Sequence, residues 1–340
     1  MLKRFCVILL SLIVVCSLSA AGGGQSSGSG ATAGGNSVTL KFNCAKPSTD
    51  VQYEWYGRYF KEVETATNGA VKVQMYPAES LGRSADVLEQ ASRGESVIAH
   101  VDVGYLENYV PDCSMLMVPY LMQSPNEVLT LWNLDIVKDI RAQLEAKGIH
   151  FILMGYEGTR NLITKVPISS RADVGKLKIR CAPAPLWNFT VNVLGGNPTN
   201  IAMSETYSAL SQGVADGCEG IFGSITTNKW YEVLKYVTRT DHMVGYTAIV
   251  MSSKVYNSLS SDVRTAMEKI SEKYMDEFVR LADGVEQQYI QQLKAAGVNF
   301  SDIDKTEFIE AAKKAPEVFP KWTPGLYDKL LTAMAAARKK

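Results

Sequence analysis

The interpretation of this chain depends on the segment Lys176–Gly220, KLKIRCAPAPLWNFTVNVLGGNPTNIAMSETYSALSQGVADGCEG. Its first six residues alternate apolar and basic side chains and stop before Pro183, which predicts a strand. Arg180 would then emerge near the end of that strand, where open α/β sheets bind ligands. We expect the rest of the chain to form a scaffold around this arginine.

The alternation of strands and helices continues on both sides of this segment. Patterning predicts strands at 38–44, 71–76, 97–103, 149–156, 161–165, 176–181 and 247–252, and a brief strand or turn at 214–219. It predicts helices at 50–67, 84–93, 124–147, 184–194, 204–212, 259–294, 304–314 and 326–337, and a loop with a short strand at 111–121. The chain is therefore expected to have an α/β fold.

Two domains are expected. The chain has 340 residues, and short strands separated by turns begin near Thr159, which indicates passage into a second domain. The helix predicted at 259–294 would be longer than about 45 Å. Because a single small domain does not need such a length, we expect this helix to cross both domains.

Composition restricts the class of partner. Hydrophobic residues make up 46% of the chain, charged residues 21%, and the formal net charge is zero. Without a long basic run, electrostatic binding to nucleic acid is not expected. A small molecule is the expected partner.

The N-terminus has the pattern of an export signal. In residues 1–21, two basic residues precede a short apolar run and small residues, and residues 22–36 are a tether rich in Gly and Ser. The mature protein is therefore expected to be periplasmic or otherwise extracytoplasmic. The end of the signal resembles a bacterial lipoprotein signal, but Ala21 stands where the lipid-accepting cysteine would be, and Cys16 is a poorer candidate. Free and membrane-tethered forms both stay open.

Four cysteines remain after removal of this signal, and no two have CxxC spacing; they are Cys44, Cys113, Cys181 and Cys218. Wide spacing does not predict a zinc site or a disulfide scaffold. One or two disulfides are possible in an oxidising compartment, but buried thiols acting as small hydrophobes are favoured.

Catalytic motifs do not stand out. The three histidines, His100, His150 and His242, lack ligand or triad spacing and are interpreted as structural or surface residues. The chain has no GxSxG elbow, no GxGxxG after a strand and no P-loop, so no cofactor or metal is expected. Arg160, Arg180 and Glu219 remain as polar residues near predicted strand ends. A guanidinium fork matches a carboxylate, which indicates recognition of an organic acid.

Ordered motifs over residues 40–292 resemble the substrate-binding proteins of tripartite ATP-independent periplasmic (TRAP) transporters, of the dicarboxylate-binding (DctP) type. The motifs are ATNGAVKVQMYPAESLG from residue 66, VPY at 118–120, GTR at 158–160, LKIR at 177–180, MSETYSAL at 203–210, GVADG at 213–217 and YEVLKY at 231–236.

This resemblance implies a two-lobed fold of the periplasmic-binding-protein type, with a carboxylate ligand closed between the lobes and delivered to a membrane permease. It implies lobe one at 38–157 and 245–284, and lobe two at 158–243 and 285–340. It also implies that Arg180 forms the main salt bridge to the carboxylate and that Arg160 assists. We expect a monomeric receptor without enzymatic activity.

The chain departs from the family at one position. Many members have Asn after the Glu of the Asp-Gly-x-Glu motif, where this chain has Gly220 after Glu219. We expect the glycine to leave room for a bulkier acid or a water. Aromatic candidates for the wall of the cleft are Tyr105, Tyr156, Trp187, Phe222 and Trp230.

A second hypothesis for the function is a secreted, hydrolase-like enzyme with a two-lobed α/β fold that acts on a small organic acid or ester. Turnover by the pure protein would favour that reading. Binding without product would favour the receptor.

Overall fold

Two long strands organise the computed structural model, which describes residues 37–339. The predicted signal and tether, residues 1–36, lie outside the described residues. The strands are β1 Val38–Asn43, β2 Val71–Tyr76, β3 Val97–Asp102, β4 Ile149–Thr164, β5 Lys178–Cys181, β6 Asn197–Asn200, β7 Gly217–Ile221, β8 Tyr236–Ser252 and β9 Asn299–Asp302.

The helices lie between and after these strands. They are α1 Val51–Ala66, α2 Ser84–Ser92, α3 Val103–Leu106, α4 Glu127–Asn133, α5 Asp135–Ala146, α6 Arg171–Val174, α7 Pro185–Val193, α8 Thr206–Ser211, α9 Phe222–Thr227, α10 Ser253–Ser258, α11 Ser261–Ala295, α12 Thr306–Ala312, α13 Ala315–Val318 and α14 Leu326–Ala337. Short 3₁₀ helices occur at Pro111–Met117, Met203–Glu205 and Trp230–Glu232.

All nine strands join one mixed sheet in the order β2-β1-β3-β8-β4-β7-β5-β6, with β9 paired to β8. In the first half, β1 is parallel to β2 and β3, and β3 is antiparallel to the end of β8. In the second half, β7 pairs with the end of β4 and is parallel to β5, which is parallel to β6. Among the strands of residues 37–339, only β4 and β8 run through both halves.

The antiparallel β4–β8 ladder extends from Ile149↔Ser252 to Thr164↔Tyr236 and has three irregularities. One of them lies next to the pair Gly158↔Gly245. Gly158 has φ +130°, a conformation that other residues rarely adopt, and its carbonyl oxygen would lie 2.8 Å from a Cβ on Gly245. The two glycines therefore allow the strands to bend where they pass from one half to the other.

Helix α11 confirms the prediction of one long helix. Its 35 residues correspond to about 52 Å. Against α1 it stacks Phe278 on Trp55 and hydrogen-bonds Ser271 to Tyr59, whereas Tyr289 contacts Gly223 at the start of α9. The helix thus packs against elements of both halves of the sheet.

Several predicted boundaries are wrong. The helix predicted at 124–147 is two helices, because Leu134 has extended ψ (140°) between α4 and α5. The short strand expected within 111–121 is a 3₁₀ helix, and the strand at 161–165 is the continuation of β4. The helix expected at 204–212 begins with a 3₁₀ turn, and Ser204 does not cap it. Strands β6 and β9, helix α9 and the first half of β8 were not predicted.

The four cysteines in the described part of the chain are buried free thiols. Burial raises the pKa of each of them, with the Cys181 pKa at about 12. The interpretation as small buried hydrophobes is confirmed.

Gly245→Ala is predicted to destabilise the fold by about 1–3 kcal/mol, because the new methyl group would press on the carbonyl oxygen of Gly158 and on the side chains of Arg160 and Ile221. Gly284→Ala is the matched control, since a Cβ there meets nothing within 4 Å. It should raise stability by about 0.5–1 kcal/mol, as expected for Gly→Ala in a helix. Urea unfolding measures both, and an unchanged midpoint for Gly245→Ala would contradict this account of the bend.

Candidate ligand-binding site

A cavity of ≈ 50 Å³ lies where β4 and β8 pass between the two halves of the sheet. That volume holds only a few water molecules. The cavity is lined by Ala45, Lys46, Glu79, Ser84, His100, Asp102, Tyr105, Glu157, Arg160, Arg180, Ala182, Met203, Gly220, Ser224, Trp230 and Thr247. Both predicted arginines therefore line the same cavity.

Arg180 is a buried guanidinium whose hydrogen-bonding capacity is only partly used. Strand β5 places it in the cavity wall at 3% exposure. Its Nε and Nη2 atoms donate to the carbonyl oxygen of Ile201, at 3.0 and 2.8 Å. No carboxylate within the described residues forms a salt bridge with it. A buried charge without a counterion is costly, so this site favours an anion.

Arg160 is held in a different way. Its Nε and Nη2 atoms donate to Glu219 Oε2 and Oε1 at 2.6 and 2.8 Å, a bidentate pair between β4 and β7. His242 lies behind the carboxylate, with Nε2 3.4 Å from Glu219 Oε2 and Nδ1 2.9 Å from Thr240 Oγ1. The guanidinium carbon of Arg160 lies 4.4 Å from the ring centroid of Trp187. These contacts fix the orientation of Arg160.

The electrostatics of this pair are strongly coupled. Burial alone would raise the pKa of Glu219, but Arg160 and the hydrogen bond from His242 outweigh it and lower the pKa to about 2. Burial lowers the pKa of His242 despite the adjacent Glu219. The imidazole is therefore neutral at neutral pH, and the carboxylate is charged.

A second buried ion pair was missed from the sequence. Lys46 Nζ and His100 Nε2 each lie 3.2 Å from Glu157 Oε1. Burial opposes ionisation of Glu157, but Lys46 and His100 lower its pKa to about 2. Lys46 lies three residues after the end of β1, and its Nζ also donates to Ser224 Oγ in α9, 3.5 Å away. Its position after a strand was the one signal that could have identified it.

Two further acidic residues, Glu79 and Asp102, also line the cavity. Burial raises the pKa of Asp102, although Arg160 partly counteracts it. Glu79 Oε1 accepts from the backbone N–H and the hydroxyl of Ser84, and its Oε2 accepts from the N–H of Ser204 at 3.3 Å. Ser84 and Ser204 belong to different halves, so Glu79 joins them across the cavity.

The other predicted site residues divide into two groups. Tyr105, Gly220 and Trp230 line the cavity. Glu219, Tyr156, Trp187 and Phe222 do not: Glu219 is fully buried behind Arg160, Trp187 stacks on Arg160, Tyr156 is 1% exposed, and Phe222 packs against Phe300.

Gly220 has a neighbour that the sequence did not reveal. A Cβ at this position would lie 3.2 Å from Cζ3 of Trp230, so the indole occupies the space next to the glycine. The Nε1–H of Trp230 is buried and has no hydrogen-bond partner among the described residues. We expected room for a bulkier acid or a water beside Gly220; the structure places an aromatic ring there.

The described residues contain no cluster of three or more His, Cys, Asp or Glu side chains arranged to hold a metal ion. None of their helices combines the length and apolar character needed to cross a membrane.

The two halves with a polar cavity between them define the architecture of a solute-binding protein. Residues 42–320 match the family model for bacterial extracellular solute-binding proteins, family 7 (DctP). The chain belongs to this family, the solute-binding proteins of TRAP transporters.

Individual relatives agree with this assignment. A TRAP periplasmic solute-binding protein from Fusobacterium nucleatum with bound sn-glycerol-3-phosphate is 31% identical, with a TM-score of 0.85 over 89% of this chain and 100% of the other. One from Ochrobactrum anthropi with bound L-fuconate is 29% identical, with a TM-score of 0.84 over 88% and 99% of the two chains. The C4-dicarboxylate-binding periplasmic protein DctP of Rhodobacter capsulatus is 28% identical over 301 residues, 88% of each chain.

Acid is predicted to destabilise the protein through its buried carboxylates. A folded-state pKa of about 2 for Glu219, against an ordinary value of 4.5, stabilises the fold above pH 4.5, and this contribution is lost as the pH falls to 2. The loss is roughly 3 kcal/mol. Glu219→Gln should therefore lower stability at pH 7 and make its pH dependence between 4.5 and 2 shallower. Denaturant unfolding at several pH values measures this, and an unchanged slope in Glu219→Gln would contradict it.

Proposed function

We propose that the chain binds a hydroxylated monocarboxylate between its lobes, holds the carboxylate at Arg180 and presents it to a TRAP permease. One observation carries the proposal: Arg180 is the cavity-lining cation that has no acidic partner among the described residues, whereas Lys46 pairs with Glu157 and Arg160 with Glu219. A single anionic group on the ligand would provide the missing counterion.

The remaining lining residues favour hydroxyl groups over a second charge on the ligand. Glu79, Asp102 and Glu157 line the same cavity, and a second carboxylate would be repelled there. Carboxylate and phenol oxygens, together with the Nε1–H of Trp230, are suitable partners for hydroxyls. L-Fuconate, which is bound to the Ochrobactrum relative, has this chemistry: one carboxylate and several hydroxyls.

Binding requires the lobes to move. A cavity of ≈ 50 Å³ is too small for a sugar acid, and the two halves already contact each other, through the ion pair Arg83–Glu205 and the bond from Thr227 Oγ1 to Asp50 Oδ2 among others. We infer that the lobes are residues 38–157 with 245–284 and residues 158–243 with 285–340, and that they open by bending at Gly158 and Gly245. A ligand that touches both lobes only in the closed form would shift this equilibrium.

The protein acts, in this proposal, as a monomeric receptor that does not transform its ligand. A lipid tether through the N-terminal segment is one way to keep it beside its permease, and free diffusion outside the cytoplasm is the other. Mass spectrometry of the intact mature protein distinguishes these forms. Product analysis after incubation with each candidate acid tests the absence of turnover.

A thermal-shift screen followed by calorimetry tests the ligand class. L-Fuconate and related sugar acids should raise the Tm and bind stoichiometrically, and succinate should bind more weakly. Preferential binding of sn-glycerol-3-phosphate or a dicarboxylate would refute a monocarboxylate as the ligand. Product formation would refute the receptor and favour an enzyme.

Removal of the Arg180 guanidinium is predicted to abolish most binding. Arg180→Ala should weaken the affinity for the best sugar acid at least about 30-fold, because truncating one member of a buried charge pair costs about 2–5 kcal/mol. Arg180→Lys should also weaken it, since the two-pronged geometry is lost. Arg171→Ala is the matched control: Arg171 also donates to backbone carbonyls, of Val193 and Asn192, but does not line the cavity. Full affinity of Arg180→Ala in calorimetry would disprove this role.

Restoring the more usual residue at position 220 is predicted to harm this protein. Gly220→Asn should weaken binding about 10-fold, because even its Cβ would crowd Cζ3 of Trp230, which is 1% exposed and has little freedom to move. The double variant Gly220→Asn/Trp230→Leu should recover part of the loss. Wild-type affinity in Gly220→Asn would show that the indole does not restrict this position.

A further inference from the structure

Strand β8 contains a bulge immediately before the bend. In the β4–β8 ladder Arg160 pairs with Met243 and Leu162 with Thr238, so Asn161 alone faces the four residues 239–242. Asp241 within the bulge has φ +39°, which is unusual for a residue other than glycine. Backbone groups in such a bulge lose their ladder partners and must find others.

Tyr120 supplies two of these partners from the loop after the 3₁₀ helix Pro111–Met117. Its backbone N–H donates to the carbonyl oxygen of His242 at 2.8 Å, and its phenol donates to the carbonyl oxygen of Thr240 at 3.1 Å. Asn161 supplies a third, since its Oδ1 accepts from the N–H of Asp241 at 3.0 Å. The bulge is thus held from both sides.

Tyr120 itself is strained in this position. Its φ is +65°, a left-handed conformation that costs a bulky residue free energy unless its surroundings impose it. Tyr120 ends the VPY motif noted in the sequence, to which the binding site assigns no role. This strained conformation places Tyr120 where it can donate both hydrogen bonds to β8.

The bulge determines where the imidazole of His242 lies. Thr240 Oγ1 contacts His242 Nδ1 at 2.9 Å, and His242 Nε2 faces the carboxylate of Glu219, which holds Arg160. The two carbonyl groups that Tyr120 binds flank this short run, at residues 240 and 242. A shift of the bulge would therefore move the support of Arg160.

We propose that Tyr120 is a positioning residue that sets the bulge of β8, and through His242 and Glu219 the orientation of Arg160 in the binding cavity. The expected effect of Tyr120 on ligand affinity rests on the proposed function. Its effect on the position of His242 does not. Tyr120 touches no part of the cavity; it acts through the backbone of β8.

Tyr120→Phe tests the proposal because it keeps the ring and removes only the bond to Thr240. Two readouts apply: the imidazole ¹⁵N signals of His242 in ligand-free protein, assigned by their loss in His242→Asn, and the dissociation constant for L-fuconate. We expect the His242 signals to shift and the affinity to fall about 5- to 10-fold. Asn161→Ala removes the hydrogen bond from the N–H of Asp241 on the other side of the bulge, and it should also shift the His242 signals and lower the affinity.

Tyr59→Phe is the matched control. It also removes one hydrogen bond of a tyrosine hydroxyl, that of the buried Tyr59 to Ser271 in α11, and should lower the Tm without changing the His242 signals or the affinity. The proposal is overturned if Tyr120→Phe and Asn161→Ala leave the His242 signals unchanged, as Tyr59→Phe is expected to do. If the signals shift but wild-type protein binds neither L-fuconate nor other sugar acids, the proposed function fails and the positioning role stands.

Discussion

The continuous pairing of β4 with β8 is the constraint on which the structure depends. These are the two strands that enter both halves of the sheet, and β3 and β7 complete each half by pairing with opposite ends of them. Glu157, Arg160 and His242 all lie on this pair close to Gly158 and Gly245. The residues that support the ligand site are therefore also the residues around which the two halves would move.

Charge pairing in the cavity explains why binding and closure are coupled. Two of its three Lys and Arg side chains are neutralised by buried glutamates, and Arg180 is not. In an open form Arg180 would be solvated by water. In a closed form without ligand it would be buried with only the carbonyl oxygen of Ile201. An anionic ligand removes that penalty, so it stabilises the closed form specifically.

Much of the fold could be predicted because it depends on local patterns. The β-α-β units at the start of the chain, the long helix α11 and the last helix have clear periodicity and clear ends. The first half of β8 does not, because its polar residues at 239–242 belong to a bulge that Tyr120 and Asn161 stabilise from other parts of the chain. The helix break at Leu134 has no glycine or proline beside it, so the sequence gives no signal for it.

The site was predictable only in part, for the same reason. Arg180 and Arg160 stand out as arginines near strand ends, and the structure places both in one cavity. Glu219 was expected among the ligand-contacting residues, yet it lies behind Arg160, a partner 59 positions away that no spacing reveals. Lys46 and Glu79 lie in two separate connections and Asp102 ends β3, so the three meet only in the folded chain. The crowding of Gly220 by Trp230 is likewise a tertiary contact.

The most direct test of the central claim is a crystal structure of the protein with L-fuconate or the sugar acid that binds most tightly. The account predicts the ligand carboxylate within hydrogen-bond distance of Nη1 of Arg180 and of the remaining N–H of Nη2, with hydroxyls towards Glu79 and Asp102. A carboxylate bound elsewhere, with Arg180 still contacting only Ile201, would contradict it.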